Sequence, residues 1–182
     1  SAARHWHQQE MPRSETGVGQ ETVDALFHEP PETGSHTSRS VAILLCTKDG
    51  ERFLTEQLDS IREQAHSDWR IIASDDGSSD ATVPILEALS DQLPGRVDIR
   101  RGPRRGFCQN FLSLATDPSI EADYFAYCDQ DDIWDHDKLS RAVAWLETVP
   151  RNIPALYCGR VQVTAADGRA VGLSPLFTRP PG

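Results

Sequence analysis

Six consecutive apolar residues, 41–46 (VAILLC), run directly into the polar segment 47–50 (TKDG). A short and uninterrupted apolar run of this kind is typical of a strand that is buried on both faces of a parallel sheet. Parallel strands need crossover connections, which are usually helices. The run therefore predicts an α/β fold in which residues 47–50 lie at the carboxyl end of a buried strand.

The rest of the chain alternates between strand and helix patterns. Further strands are predicted at residues 69–74, 97–100, 124–128 and 155–164. Helices are predicted at residues 53–65, after the N-cap residue Asp80, at 108–115 and at 138–148. The Asp167-Gly168 turn predicts a hairpin with residues 170–173. This order predicts a Rossmann-like, mainly parallel sheet flanked by helices, with a short C-terminal hairpin.

Residues 1–38 differ from this pattern. Their apolar residues show no sustained period, and Pro30-Pro31 followed by 33–35 (TGS) reads as a linker. We expect a disordered or loosely attached extension, with one or two helical turns at most in residues 21–28. This interpretation is favoured over a metal site built from the four histidines of the segment. The predicted domain is then 39–174, followed by a tail at 175–182.

Composition excludes several classes of protein. The formal net charge is -10, which argues against general nucleic-acid binding because that depends on basic surface. Residues 41–46 form the longest apolar run, and a membrane-spanning helix needs about 20 such residues. The N-terminus also lacks the apolar region of a secretory signal. Four widely spaced cysteines beside apolar residues predict buried, reduced thiols in the cytosol rather than a disulfide framework or zinc site.

Carboxylates cluster where two of the predicted strands end. Asp129, Asp131 and Asp132 follow the strand 124–128, and Asp75-Asp76 follow the strand 69–74. Ligands bind at the carboxyl ends of the strands in such sheets. Crowded carboxylates need a cation or a shifted pKa, and Mg²⁺ or Mn²⁺ is the natural partner for carboxylate oxygens. The alternatives are a solvated loop that caps the next helix through Asp135 or Asp137, and a simple turn at Gly77.

Five arginines concentrate positive charge in this otherwise acidic chain: Arg96, Arg100, Arg101, Arg104 and Arg105. Arginine recognises phosphate with bidentate geometry. A solvated loop is the better interpretation for any single one of them. As a group facing the acidic strand ends, one or two are expected to steer a diphosphate inward.

Four segments in this order resemble the family-2 glycosyltransferases with the GT-A fold: VAILLCTKDGERFLTEQLDSI, WRIIASDDGSSDAT, RRGFCQNF and YFAYCDQDDIWDHDKL. The resemblance spans residues 40–173. The segment CDQDDIW is most similar to the bacterial rhamnosyltransferase-like enzymes that build surface polysaccharides. The family more often has an aromatic residue and Asn at the positions of Lys48 and Asp49. A sugar nucleotidyltransferase would need a Gly-rich loop after the first strand, which TKDGER does not supply.

The resemblance implies the site residues one by one. Thr47 and Asp49 would line the nucleotide pocket, and Asp76 or Asp75 would hold the base or ribose. The loop closing over the nucleotide would include Arg105 and Gly106. Of the D-x-D pair, Asp129 would approach the ribose, and Asp131 would ligate a divalent metal, Mg²⁺ or Mn²⁺, bound to the diphosphate.

The implied activity is metal-assisted, inverting transfer of a sugar from a UDP- or dTDP-linked donor, with rhamnose a candidate, to a glycan or lipid-linked acceptor. This fits surface polysaccharide synthesis in the cytoplasm, where the family is often peripheral to the inner membrane face. Family members continue well beyond the D-x-D strand, whereas here residues 132–182 follow and no convincing general base is found. The alternative is a non-catalytic or incomplete nucleotide-sugar-binding module without acceptor region and general base.

Overall fold

The computed structural model describes the backbone of residues 4–7 and the residues 38–165 and 169–175. The strands of this part of the chain are β1 (Arg4–His7), β2 (Val41–Thr47), β3 (Trp69–Asp75), β4 (Val97–Arg101), β5 (Tyr124–Cys128), β6 (Asp132–Ile133), β7 (Arg160–Thr164) and β8 (Ala170–Leu173). Its helices are α1 (Glu51–Arg62), α2 (Thr82–Gln92), α3 (Phe107–Ala115) and α4 (Lys138–Leu146). The expected helical turns in 21–28, the Asp167-Gly168 turn and most of the C-terminal tail lie outside the described residues.

The main sheet has the strand order β4-β3-β2-β5, and every neighbouring pair is parallel. β2 pairs with β3 along its full length, from Val41 opposite Trp69 to Thr47 opposite Asp75. Consecutive strands are joined by helices, as parallel pairing requires. The predicted α/β architecture with a mainly parallel sheet is therefore confirmed.

Both faces of β2 are buried, which confirms the interpretation of its apolar run. Its alternate residues Val41, Ile43 and Leu45 pack into a core with α1, α2 and α4 on one face of the sheet. The residues between them pack with α3 and Ile120 on the other face. Alternate side chains of a strand point to opposite faces, so one run of apolar residues fills two cores.

No helix in the described part of the chain is long and apolar enough to cross a membrane.

A second sheet has the order β6-β1-β7-β8. β7 and β8 are antiparallel, which confirms the predicted C-terminal hairpin. The strand predicted at 155–164 begins only at Arg160, because the preceding residues are largely exposed, with Leu156 at 73%. β1 pairs with β6 in parallel and with β7 in antiparallel fashion. The sequence does not predict this strand, since RHWH carries no apolar alternation.

The cysteines divide into two classes. Cys46 and Cys128 are buried as predicted, whereas Cys108 and Cys158 are exposed, which corrects the expectation for these two. Cys108 lies in the first turn of α3, on the side away from the sheet, so its apolar neighbours do not imply burial. Burial, helped by the nearby charges of Asp129 and Asp76, raises the pKa of the Cys46 thiol to about 12. Burial also raises the pKa of Cys128 well above its usual value.

We therefore expect the thiols to differ sharply in reactivity. Treating the native chain with iodoacetamide at about pH 8, followed by peptide mass spectrometry, should find Cys108 and Cys158 alkylated and the other two protected, because the thiolate is the nucleophile. All four should react after denaturation. Rapid alkylation of Cys46 in the native chain would contradict the burial and the raised pKa of this thiol.

A buried amide fixes α3 to the end of β3. Asn110 is fully buried; its Nδ2 donates to the carbonyl oxygen of Ser74 (2.8 Å), and its Oδ1 accepts from the Ser74 hydroxyl (2.6 Å). Gly102, just after β4, packs against the same amide. A Cβ added at Gly102 would lie 2.6 Å from Asn110 Oδ1 and 2.9 Å from the carbonyl oxygen of Asp75. The close approach of β3, α3 and the loop after β4 therefore requires glycine.

Gly102→Ala should destabilise the fold by about 1–3 kcal/mol, because neither the Asp75 backbone nor the buried Asn110 amide can move aside freely. The measurement is chemical unfolding of the variant and the parent chain. Gly172→Ala is the matched control, since a Cβ at that exposed position meets no atom within 4 Å. Equal stabilities for the two variants would contradict the packing described here.

Candidate functional site

A cavity of about 270 Å³ lies where β2, β3 and β5 end. Five of its lining residues are predicted site residues: Thr47, Asp76, Gly106, Asp129 and Asp131. The other lining residues are Cys46, Lys48, Phe107, Asn110, Phe111 and Gln130. A larger, mostly apolar groove of about 940 Å³ lies between β5, α4 and the segment 149–160, and no predicted site residue lines it. The converging polar groups therefore single out the smaller cavity.

Asp75 is a structural carboxylate. It is buried, and its Oδ1 accepts hydrogen bonds from the hydroxyls of Thr47 (3.0 Å) and Ser78. Its Oδ2 accepts from the backbone N–H groups of Gly77 (3.0 Å) and Ser78 (2.8 Å). Gly77 supplies the left-handed angle of this turn, with φ 92°. Asp75 therefore fixes the turn after β3 and orients Thr47, and it does not line the cavity.

Asp76 reaches across to the loop after β4. Its Oδ1 accepts from the backbone N–H of Arg104, and its Oδ2 accepts from that of Gly106 (2.8 Å). Arg104 has a φ of 58°, a left-handed conformation that is uncommon for residues other than glycine. Asp76 thus lines the cavity and also holds the loop that leads into α3. The exposed Arg105 lies on this loop but not on the cavity wall.

Asp49 turns away from the cavity. Its Oδ1 accepts from the Ser79 backbone N–H (2.7 Å), and its Oδ2 pairs with Lys48 Nζ at 3.1 Å. The Ser79 hydrogen bond, and after it the Lys48 ammonium, lower the pKa of this exposed carboxyl. Asp80 makes a similar brace one residue further on, where its Oδ2 accepts from the Glu51 N–H (3.1 Å) at the start of α1. Asp49 and Asp80 therefore connect the loops after β2 and β3.

The three aspartates that follow β5 have different surroundings. Asp129 and Asp131 line the cavity, whereas Asp132 is buried within β6. Asp137 does not act as the expected cap, because it precedes α4 without a side-chain cap hydrogen bond and pairs instead with Arg141 at 2.9 Å. Two of the three clustered carboxylates are therefore directed to the cavity.

Two of the five arginines are bound away from the cavity. Arg96 stacks over the Trp69 ring at 4.7 Å and donates to the Ser67 carbonyl oxygen. Arg100 pairs with Asp98 at 2.8 Å and also with Asp117. Neither residue lines the cavity. Arg96 and Arg100 are therefore not among the one or two arginines expected to steer a diphosphate.

Among the residues that line the cavity, Lys48 is the only basic one. Its Nζ donates to the carbonyl oxygen of Gly77 in addition to pairing with Asp49. The acidic residues that line the cavity are Asp76, Asp129 and Asp131. The cavity is therefore acidic, and an anionic ligand would need a cation beside it.

Sequence reasoning missed the aromatic side of the cavity. Phe107 and Phe111 lie one turn apart on α3, and Phe107 is 79% exposed. Phe111 meets the Tyr127 ring edge to face at 5.6 Å. Their spacing is that of a helix packed on a core, so no signal in the sequence distinguished them from core residues. They give one wall of the cavity an apolar, ring-lined surface.

Asp129 and Asp131 offer the donor atoms that Mg²⁺ or Mn²⁺ prefers. Within the described residues no three His, Cys, Asp or Glu side chains are grouped closely enough to hold a metal alone. Magnesium is usually bound by one or two carboxylates, with waters and substrate phosphates completing its coordination. An open cavity with two carboxylates at its rim fits this mode, in which the ligand supplies the remaining oxygens.

Comparisons with known proteins agree with this geometry. The model of the family described as glycosyl transferase family 2 matches residues 40–167. The dTDP-rhamnosyl transferase RfbG of Shigella flexneri is 38% identical over 102 residues, which cover 54% of this chain and 35% of that protein. An uncharacterized glycosyltransferase of Haemophilus influenzae is 30% identical over 107 residues, covering 59% and 32%. The chain spans about a third of the length of these curated relatives.

Solved structures share the fold. The mannosyltransferase PcManGT of Pyrobaculum calidifontis, in complex with GDP-Man and Mn²⁺, aligns with a TM-score of 0.57 at 22% identity, covering 63% of this chain and 34% of its own. S. aureus TarS 1-349 in complex with UDP aligns with a TM-score of 0.50 at 22% identity, covering 59% and 32%. The GT-A fold implied by the sequence resemblance is confirmed. Since the family model covers most of the chain, this chain belongs to glycosyl transferase family 2.

Proposed function

We propose that this chain forms the donor site of a glycosyltransferase and binds a nucleotide-diphosphate sugar in the cavity at the ends of β2, β3 and β5. The observation that carries the proposal is the convergence of Thr47, Asp76, Asp129 and Asp131 on this one cavity. These residues come from three strand ends that are far apart in the sequence. Ligands of open α/β sheets bind at this edge.

The nucleoside would lie between the β2 and β3 ends and the loop before α3. Of the two candidates Asp75 and Asp76, we assign the nucleotide contact to Asp76, since Asp76 lines the cavity and Asp75 does not. Gly106 and Arg105 belong to the loop that Asp76 holds. Phe107 and Phe111 offer ring faces and edges of the kind on which a planar base packs. Asp49 would not contact the nucleotide directly; it would contribute by bracing the loop after β3.

The diphosphate would lie beside Asp129 and Asp131. Three carboxylates around an anionic ligand are unfavourable unless a cation compensates them. Asp131 would hold a divalent ion, Mg²⁺ or Mn²⁺, and Asp129 would approach the ribose. When bound, such an ion stabilises the negative charge that develops on the diphosphate as the sugar leaves. The neighbouring structure that holds GDP-Man and Mn²⁺ supports the same pairing of donor and metal.

Similarity to the Shigella flexneri dTDP-rhamnosyl transferase supports a dTDP- or UDP-linked donor, with rhamnose as a candidate sugar. We infer transfer to a glycan or lipid-linked acceptor in surface polysaccharide synthesis, by in-line displacement with inversion at the anomeric carbon. The carboxylates that line the cavity are Asp76, Asp129 and Asp131, and each has a role on the donor side. We therefore assign no general base among the described residues.

Metal-dependent binding of a nucleoside diphosphate is the first expected outcome. Calorimetric titration of the purified chain with UDP and with dTDP should show binding that strengthens when Mn²⁺ is present. Asp131→Asn keeps the size of the side chain and removes its charge, so Mn²⁺ should no longer strengthen binding in this variant. We expect a loss of at least tenfold in affinity with Mn²⁺, equivalent to about 1.4 kcal/mol.

Asp59→Asn is the matched control, because Asp59 is an exposed carboxylate on α1 that pairs with Arg62 and does not line the cavity. It should bind both nucleotides as the parent chain does. An Asp131→Asn variant with unchanged affinity in Mn²⁺ would remove the metal role that we assign to Asp131. A parent chain that binds neither nucleotide would refute the donor site.

A further inference from the structure

The side chain of Gln130, between the two cavity aspartates, makes a two-point contact with the backbone of Lys48. The Lys48 N–H donates to Gln130 Oε1 at 2.8 Å, and Gln130 Nε2 donates to the Lys48 carbonyl oxygen at 3.0 Å. A carboxamide that satisfies both main-chain groups of one residue acts as a neighbouring strand would. A side chain that lacks either the donor or the acceptor cannot reproduce this contact.

Gly50 provides the space for this amide. A Cβ at Gly50 would lie 2.4 Å from Gln130 Oε1 and 2.6 Å from its Cδ, closer than such atoms approach in proteins. The backbone of Gly50 has φ −104° and ψ 7°, which residues with side chains also adopt. The conformation does not require glycine here. A side chain at this position would instead collide with the Gln130 amide, which would have to move.

The contact extends the sheet beyond its last backbone pair. The ladder between β2 and β5 ends with Leu45 opposite Cys128. Beyond this point both segments line the cavity, Thr47 and Lys48 after β2 and residues 129–131 after β5. The Gln130 amide links these two segments.

We propose that Gln130 and Gly50 form a clamp that positions Asp129 and Asp131 in the donor cavity. The clamp sets the separation between the acidic segment and the end of β2, and thereby where a metal and a diphosphate can bind. Gln130 and Gly50 are positioning residues, since they act through the two carboxylates. This inference rests on the proposed donor site for its functional part. Its structural part, the contact itself, can be tested without any ligand.

The contact is tested by a double-mutant cycle on thermal stability, with Gly50→Ala, Gln130→Ala and the combined variant. Gly50→Ala alone should lower the Tm, because the new methyl group displaces the Gln130 amide. The same change in the Gln130→Ala background should lower the Tm no further than Gly172→Ala does, since the atoms it would strike are gone. Additive losses in the combined variant would overturn the clamp.

The positioning role is tested by titrating each variant with UDP and dTDP in the presence and absence of Mn²⁺, at a temperature where it is fully folded. Side chains that orient metal ligands typically change metal affinity by about 10–100-fold when they are replaced. We expect Gln130→Ala and Gly50→Ala to weaken the Mn²⁺-dependent part of binding at least tenfold. Gln92→Ala, at the exposed end of α2, is the control and should leave binding and Tm unchanged.

The variant Gln130→Glu tests whether the contact with Lys48 depends on the size of the side chain or on its hydrogen bonds. It keeps the length of the side chain and the acceptor for the Lys48 N–H, but it replaces the donor with an oxygen that faces the Lys48 carbonyl. We expect it to bind as weakly as Gln130→Ala does. A lower Tm with unchanged Mn²⁺-dependent affinity would leave a merely structural contact and overturn the positioning role. If the parent chain binds neither nucleotide, the donor site and the positioning role both fall, while the cycle still decides whether the clamp exists.

Discussion

Burial of β2 on both faces is the constraint on which the rest of the structure depends. A strand with apolar residues at every position from Val41 to Cys46 can only lie inside a sheet that helices cover on both sides. The parallel order then places the carboxyl ends of β2, β3, β4 and β5 along one edge. Polar residues excluded from the core must lie beyond those ends. The fold thus gathers polar side chains from distant parts of the sequence at one edge of the sheet.

The carboxylates at this edge have two different roles. Asp75 and Asp49 accept backbone and hydroxyl hydrogen bonds and hold the loops in place, so their negative charge is balanced within the protein. Asp76 is shared, because it holds the loop before α3 and also lines the cavity. Asp129 and Asp131 line the cavity after β5. Position relative to the cavity, rather than residue type, therefore separates the structural acids from those suited to a ligand.

The sequence predicts those features that follow from local pattern. The apolar run of β2 and the alternation of strands and helices along the chain are of this kind, because hydrophobic period is encoded in neighbouring residues. It does not predict β1, whose backbone pairing carries no signal in residues 4–7, or the exposure of Cys108, which depends on the face of α3 that meets the sheet. Nor does it show which of the five arginines face the acidic strand ends, since the partners of Arg96 and Arg100 at Trp69 and Asp117 become neighbours only in the folded chain.

Gln130, the residue between the two aspartates, shows that the contacts of a residue in a short motif are visible only in the folded structure. In the sequence, Gln130 only separates Asp129 from Asp131, and Gly50 resembles any glycine that precedes a helix. In the structure, one amide satisfies both backbone groups of Lys48, and the missing Cβ of Gly50 makes room for it. The cavity is lined by segments that follow separate strands, and this contact connects two of them beyond the last ladder pair. A side-chain amide provides that connection without prolonging the strand, and so leaves the flanking carboxylates at the cavity rim.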